Sequence, residues 1–189
     1  MPLPQYTDED LVTLFNTATN KQDEVFTEIM YRYQEKIYWL IRKMVLDHDD
    51  ADDLTQDVFV KVYHKLNGFK GQSQLYTWIY RIAVNHTLTF IEREKRKVYF
   101  EDDEALERAL SDKIEQEMDN DTDEIDKLLQ LAISALPEKQ RAVFLMRYYD
   151  EMEYKEIAEI TGTSEGALKA SYHHAVKKIE EFVKARTTK

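Results

Sequence analysis

The chain has no cysteine, and only four glycines and three prolines among its 189 residues. Without cysteine, disulfides, thiolate metal sites and cysteine nucleophiles are excluded. So few glycines and prolines do not serve a fold built from many tight turns, and the abundance of Glu, Lys, Leu, Ile and Ala favours helix. No apolar run approaches the roughly 18 residues that would span a membrane. The beginning, MPLPQYTDED, lacks the basic-then-apolar order of a secretion signal. We therefore expect a soluble protein that stays in the cytoplasm, with no membrane insertion. What is present is 43% apolar residues, enough for one ordinary core or two small ones.

The net charge of -11 argues at first against a nucleic-acid partner. Its distribution changes that inference. Residues 1–97 hold 13 Lys/Arg against 15 Asp/Glu, residues 98–135 hold 3 against 13, and residues 136–189 hold 10 against 9. Nearly all the excess lies in the middle, between two near-neutral lobes.

Apolar periodicity predicts helices in both lobes. Thr7 with Asp8, Glu9 and Asp10 reads as a cap with acids in the first turn, followed by Leu11, Leu14 and Phe15. Phe26, Ile29, Met30, Tyr33, Ile37, Leu40, Ile41 and Met44 recur at three- and four-residue steps along a longer helix. A third carries Leu54, Val58, Phe59, Val62 and Leu66, with Asp49 or Asp50 as cap. After the loop GFKGQS, Ser73 can cap a fourth helix from about Gln74 to Lys97. On that helix Leu75, Ile79, Ile82, Ala83, His86 and Phe90 share one face. Trp78, Arg81 and Asn85 fall on one flank, and Tyr76 and Tyr80 on the other. Residues 98–124 are acid-rich and read as a flexible linker. Such a segment spans about 90 Å fully extended and averages nearer 30 Å as a coil. Lobes so joined reach sites one to two DNA turns apart, at about 34 Å per turn. Further helices begin near Ile125, after Leu136-Pro137, at Tyr154, and after TGTS, the last running to about Val183.

The segment EYKEIAEITGTSEGALKASYHHAVKKI fits a helix-turn-helix. Ala158 is the small residue where two helices pack, Gly162 the turn residue that tolerates positive φ, Leu168 the apolar anchor, and Ser164 the cap. Lys169, Ala170, Ser171, His173 and His174 would face a major groove, with Lys177 and Lys178 beside phosphates. An ordinary helical hairpin is the plainer reading. The absence of any acid between Glu165 and Glu180 favours DNA.

With these motifs the chain resembles the sigma factors of bacterial RNA polymerase, in the sigma-70 family and its short extracytoplasmic-function (ECF) group. DADDLTQDVF at 50–59 is similar to the polymerase-binding segment, GFKGQSQLYTWIYRIAVN at 68–85 to the promoter-melting loop and helix, and LPEKQRAVFLMRYYDEMEYKEIAEITGTSEGALKASYHHAV at 136–176 to the second domain. The resemblance implies an all-α fold of two small domains. These are a four-helix sigma domain at 1–97 and a helix-turn-helix domain at 125–189, joined by the acidic linker at 98–124. It implies that Asp53, Gln56 and Asp57 meet the clamp helices of the largest polymerase subunit, while the second domain meets the flap of the second-largest. Lys70, Gly71, Gln72 and Ser73 then form a loop that captures a base flipped from the −10 non-template strand. Asn85 reads that base, with Trp78 and Arg81 beside it. Lys169, Ala170, Ser171, His173 and His174 read −35 duplex DNA. Many members carry arginine where this chain has Ser171 and His174, which implies fewer phosphate contacts. The resemblance also implies an anti-sigma partner, no cofactor, no metal and no catalytic residue. It draws the acidic linker toward the basic RNA path of the polymerase, although a plain solvated tether fits the composition equally.

Two other classes remain open at this level. His48, Asp49, Asp50, Asp52 and Asp53, with His64 or His86, resemble the ligand clusters of metal-dependent phosphohydrolases. The acids have a simpler use beside a helix N-terminus, and metal-dependent turnover of phosphoesters would be the discriminator. The second alternative is a regulator that binds a promoter through its helix-turn-helix without polymerase. A gel shift with and without core enzyme separates it from a sigma factor.

Overall fold

The computed structural model describes residues 6–97, 112 and 124–187, and every regular element among them is helical. Apart from Asp112 and Glu124, the acidic segment lies outside the described residues. Four helices make the N-terminal half: α1 (Asp8–Thr17), α2 (Gln22–Val45), α3 (His48–Leu66) and α4 (Leu75–Lys97). Four more make the C-terminal half: α5 (Glu124–Ser134), α6 (Glu138–Tyr148), α7 (Tyr154–Thr161) and α8 (Glu165–Thr187). Glu124, assigned to the linker from sequence, is thus the first residue of α5.

The caps explain where the helices begin. Thr7 and Asp10 form a capping box at α1. At α3 the cap is Asp47, whose carboxylate accepts the Asp50 N–H at 2.9 Å, rather than Asp49 or Asp50, which lie inside the first turn. An unforeseen box joins Glu153 and Glu156 at α7. Ser164 Oγ accepts from Ala167 N–H at 3.4 Å as α8 starts. That helix runs one turn beyond the expected Val183, to Thr187.

Leu11, Phe15, Val25, Ile29, Ile37, Ile41, Val58 and Val62 pack the N-terminal core. Phe15, Phe26 and Tyr63 meet edge-on or tilted at its base. In the C-terminal half Ile133, Phe144, Leu145, Met146, Ile157, Leu168, Ala175 and Ile179 are buried. The cores are contiguous, because α7 packs along α4 and α6 against the end of α2. Tyr80 takes part in that junction. Expected on a flank of α4, it is only 1% exposed.

Candidate promoter and polymerase interface

The loop from Gly68 to Gln74 is held at its start by Gly68 and Phe69 N–H groups donating to the carbonyls of Lys65 and Leu66. Gly71 turns it with φ +66, a left-handed conformation that glycine adopts without strain. Lys70, Gly71 and Gln72 are exposed and Ser73 is half-buried. Phe69 of the loop tilts against Trp78 at 5.1 Å between ring centres, so the first turn of α4 carries an aromatic platform. Asn85 is exposed two turns further along that helix.

Arg81 takes a different course from its neighbours. Its Nε donates to the backbone carbonyl of Glu159 on α7 at 2.9 Å, and its Nη2 donates to the same oxygen. Lys70 and Asn85 are thus exposed and Trp78 half-buried, while Arg81 is engaged by the other half of the chain.

Asp53, Gln56 and Asp57 are exposed on α3, beside a shallow depression floored by Met30, Tyr38 and Phe59. His86 of α4 lies 3.3 Å from Asp57 Oδ2, linking the two expected binding regions. His48 has its own partners, the Tyr38 hydroxyl at 2.7 Å from Nδ1 and Asp52 at 3.4 Å from Nε2. Among the described residues there is no group of three or more His, Cys, Asp or Glu able to hold a metal ion.

In the helix-turn-helix, Gly162 has φ +69 and donates its N–H to Ala158, closing α7 before the turn. Leu168 is 1% exposed, as an anchor should be. Lys169, Ala170, His173, His174, Lys177 and Lys178 are exposed along α8, and Ser171 is half-buried. Lys177 pairs with Glu181 at 3.8 Å and Lys178 Nζ donates to Gln140 at 3.2 Å. Lys169 Nζ and the Arg147 guanidinium both lie over the Tyr154 ring, at 5.6 and 5.3 Å. Arg147 and Tyr154 had not been singled out from sequence, where a cation on an aromatic face from another helix leaves no periodic mark.

The junction of the halves also carries groups that sequence reading missed. Arg141, 7% exposed, donates through Nη1 to the carbonyl of Met44 at 2.8 Å, and its Nε is buried without a hydrogen-bond partner. Burial lowers its pKa. Lys43 sits over Tyr149 at 4.5 Å and over Trp39 at 5.6 Å, and burial lowers its pKa too. Asp150 lies in the same cleft with Glu35, Lys36, Tyr76 and Tyr80. Burial pushes its carboxyl up to about 6, against the opposing pull of Lys43 and Lys36. Burial likewise raises the phenol of Tyr80, with the Asp150 charge adding to it.

A helical chain whose second half presents, after a glycine turn, a helix with no acid between Glu165 and Glu180 has the form of the helix-turn-helix DNA-binding proteins. Comparison with known proteins narrows the class. Residues 29–97 match Sigma-70 region 2, and residues 126–179 match Sigma-70, region 4. The chain is 31% identical to the RNA polymerase sigma-H factor of Pseudomonas aeruginosa, over 95% of each chain. It is 30% identical to the ECF RNA polymerase sigma-E factor of Escherichia coli, again over 95% of each. It belongs to the sigma-70 family, in the ECF group, and is a promoter-specificity factor of RNA polymerase. Two solved structures share its fold at 19% identity. One is the sigma factor RpoE in complex with the anti-sigma factor NepR from Bartonella quintana, with TM-score 0.65 over 84% of this chain and 96% of that one. The other is CnrH in complex with the cytosolic domain of CnrY, with TM-score 0.67 over 94% and 97%. Among the described residues no helix is long and apolar enough to cross a membrane.

Proposed function

We propose that this sigma factor acts in the cytoplasm through two promoter-reading modules, residues 1–97 and 125–189, tethered by the acidic segment 98–124. Asp53, Gln56 and Asp57 dock on the clamp helices of the largest polymerase subunit, and the second module meets the flap of the second-largest. Lys70, Gly71, Gln72 and Ser73 form the pocket for a base flipped out of the −10 non-template strand. Asn85 reads that base edge, Trp78 supplies a stacking surface and Arg81 a cation. Lys169, Ala170, Ser171, His173 and His174 read the −35 duplex, with Lys177 and Lys178 against its phosphates. No catalytic group, metal or cofactor is required, because melting is driven by binding energy. An anti-sigma protein is the expected regulatory partner, in keeping with the complex of RpoE with the anti-sigma factor NepR.

One observation carries this reading: the two sigma regions occur in order in one helical chain, with Asn85 exposed on the helix that follows a glycine-turned loop, two turns beyond an aromatic pair. Permanganate footprinting of reconstituted holoenzyme tests it. Asn85→Ala is expected to reduce open-complex yield on the order of ten-fold or more while core binding persists, as befits one lost bidentate base contact. Equal yield from variant and parent would remove Asn85 from the base-reading role.

A further inference from the structure

Of the three side chains assigned above to polymerase docking, one is held by the rest of the protein. Asp53 and Gln56 have no hydrogen-bond partner among the described residues, whereas Asp57 Oδ2 lies 3.3 Å from His86 Nε2. A carboxylate only accepts, so Nε2 carries the hydrogen that joins them, whether the ring is neutral or protonated. The two ends of this bond differ in setting. The His86 side chain is 21% exposed and that of Asp57 64% exposed. The ring stands at the margin of the face that buries Ile79 and Ala83, where α4 packs on α3. A sheltered donor therefore holds an acceptor that is open to solvent.

The neighbours of Asp57 along α3 give it no such hold. Asp53, one turn earlier, carries the same charge, and Lys61, one turn later, makes no ion pair with it among the described residues. Order at this position has a consequence for association. An exposed side chain that must be immobilised in a complex weakens binding by the freedom it loses. A hydrogen bond already present in the free chain removes part of that cost, and it leaves Oδ1 for a donor on the partner.

We propose that His86 is a positioning residue for polymerase docking: it fixes the Asp57 carboxylate in the orientation that a cationic or N–H group of the polymerase meets. The inference rests on the docking role of Asp57 proposed above. It gives α4 two tasks at adjacent positions, since the helix that presents Asn85 to the DNA strand also sets, through His86, a docking group on α3.

A double-variant cycle on the full chain tests the role. The absence of cysteine allows a single fluorophore at Thr13→Cys, an exposed position on α1, and anisotropy then gives the dissociation constant for purified core polymerase. His86→Phe and His86→Leu both remove the donor while keeping apolar bulk at the helix margin. Each is expected to weaken core binding roughly three- to five-fold, the scale of one partly exposed charged pair. His86→Gln, whose amide N–H reaches about where Nε2 stood, should recover most of that loss. In the Asp57→Ala background the same two variants should change the affinity by less than about two-fold, because the group that His86 positions is gone. Equal losses in both backgrounds, as a general folding defect would produce, would overturn the positioning role, and so would unchanged affinity of both variants in the parent background. Failure of the docking role itself looks different: Asp57→Ala alone would then bind core polymerase as the parent does, and the inference would fall with it.

Discussion

Asp150 lies near two lysines, and yet burial pushes its carboxyl up to about 6 from the ordinary 3.8. Coulomb attraction lowers a carboxyl pKa and burial raises it; here burial wins. The sign of the linkage follows. A carboxyl whose pKa is higher in the folded chain than in the unfolded one stabilises the fold fully below the ordinary value, and loses the contribution as pH rises through about 6. Acidification from pH 7.5 to 5 should therefore raise the resistance of the chain to chemical denaturation by this contribution, and Asp150→Asn should flatten that response. The other charged groups lining the cleft are Glu35, Lys36 and Lys43. A parent protein with a flat profile across this range would mean that Asp150 is as hydrated in the folded chain as in the unfolded one.

Among the helices, the turn after α7 shows how one backbone angle sets a functional geometry. Gly162 adopts φ +69, and a Cβ added there would meet no atom within 4 Å. Any cost of Gly162→Ala is then conformational and not steric. About 1–2 kcal/mol should be lost from the C-terminal half, measurable by chemical denaturation, and the angle between α7 and α8 that sets α8 in a groove would loosen with it. On α3 the expectation concerns association rather than stability. Gln56 and Asp57 are exposed, so the double variant Gln56→Ala with Asp57→Ala should fold normally and weaken core-polymerase capture several-fold in a pull-down. Normal capture would relocate the polymerase contact.

Much of this architecture was legible because apolar residues every three or four positions have a single economical use. Ile29, Ile37, Ile41, Val58 and Val62 were expected in cores and are buried there, and Gly162, Ser164 and Leu168 occupy the expected places in the turn, cap and anchor. Helix beginnings were less legible. Asp47, Asp49 and Asp50 are chemically equivalent caps, and only the path of the chain chooses Asp47. Tyr80 misled because an aromatic at the edge of an apolar stripe is buried only if something covers that edge, and the cover comes from the far half of the chain.

For the whole molecule, the joint between the halves was invisible in the sequence for a specific reason. Both arginines grip backbone carbonyls, and every residue type has one, so neither Met44 nor Glu159 announces its role. The pattern of two modules on a tether says how far they can separate, and nothing about whether they also fit each other.

The choice of carbonyl partners has an electrical consequence as well. A guanidinium held by a neutral dipole at hydrogen-bond range gains little from dilute buffer and loses little in brine, whereas its attraction to a polyanionic strand weakens steeply as salt rises, because counterions freed from the strand gain less entropy in a concentrated bulk. Ionic strength should then act as a referee for Arg81. Concentrated electrolyte should leave the Arg81 bond to Glu159 in place while weakening the hold of the reconstituted holoenzyme on nucleic acid, and dilute electrolyte should strengthen that hold.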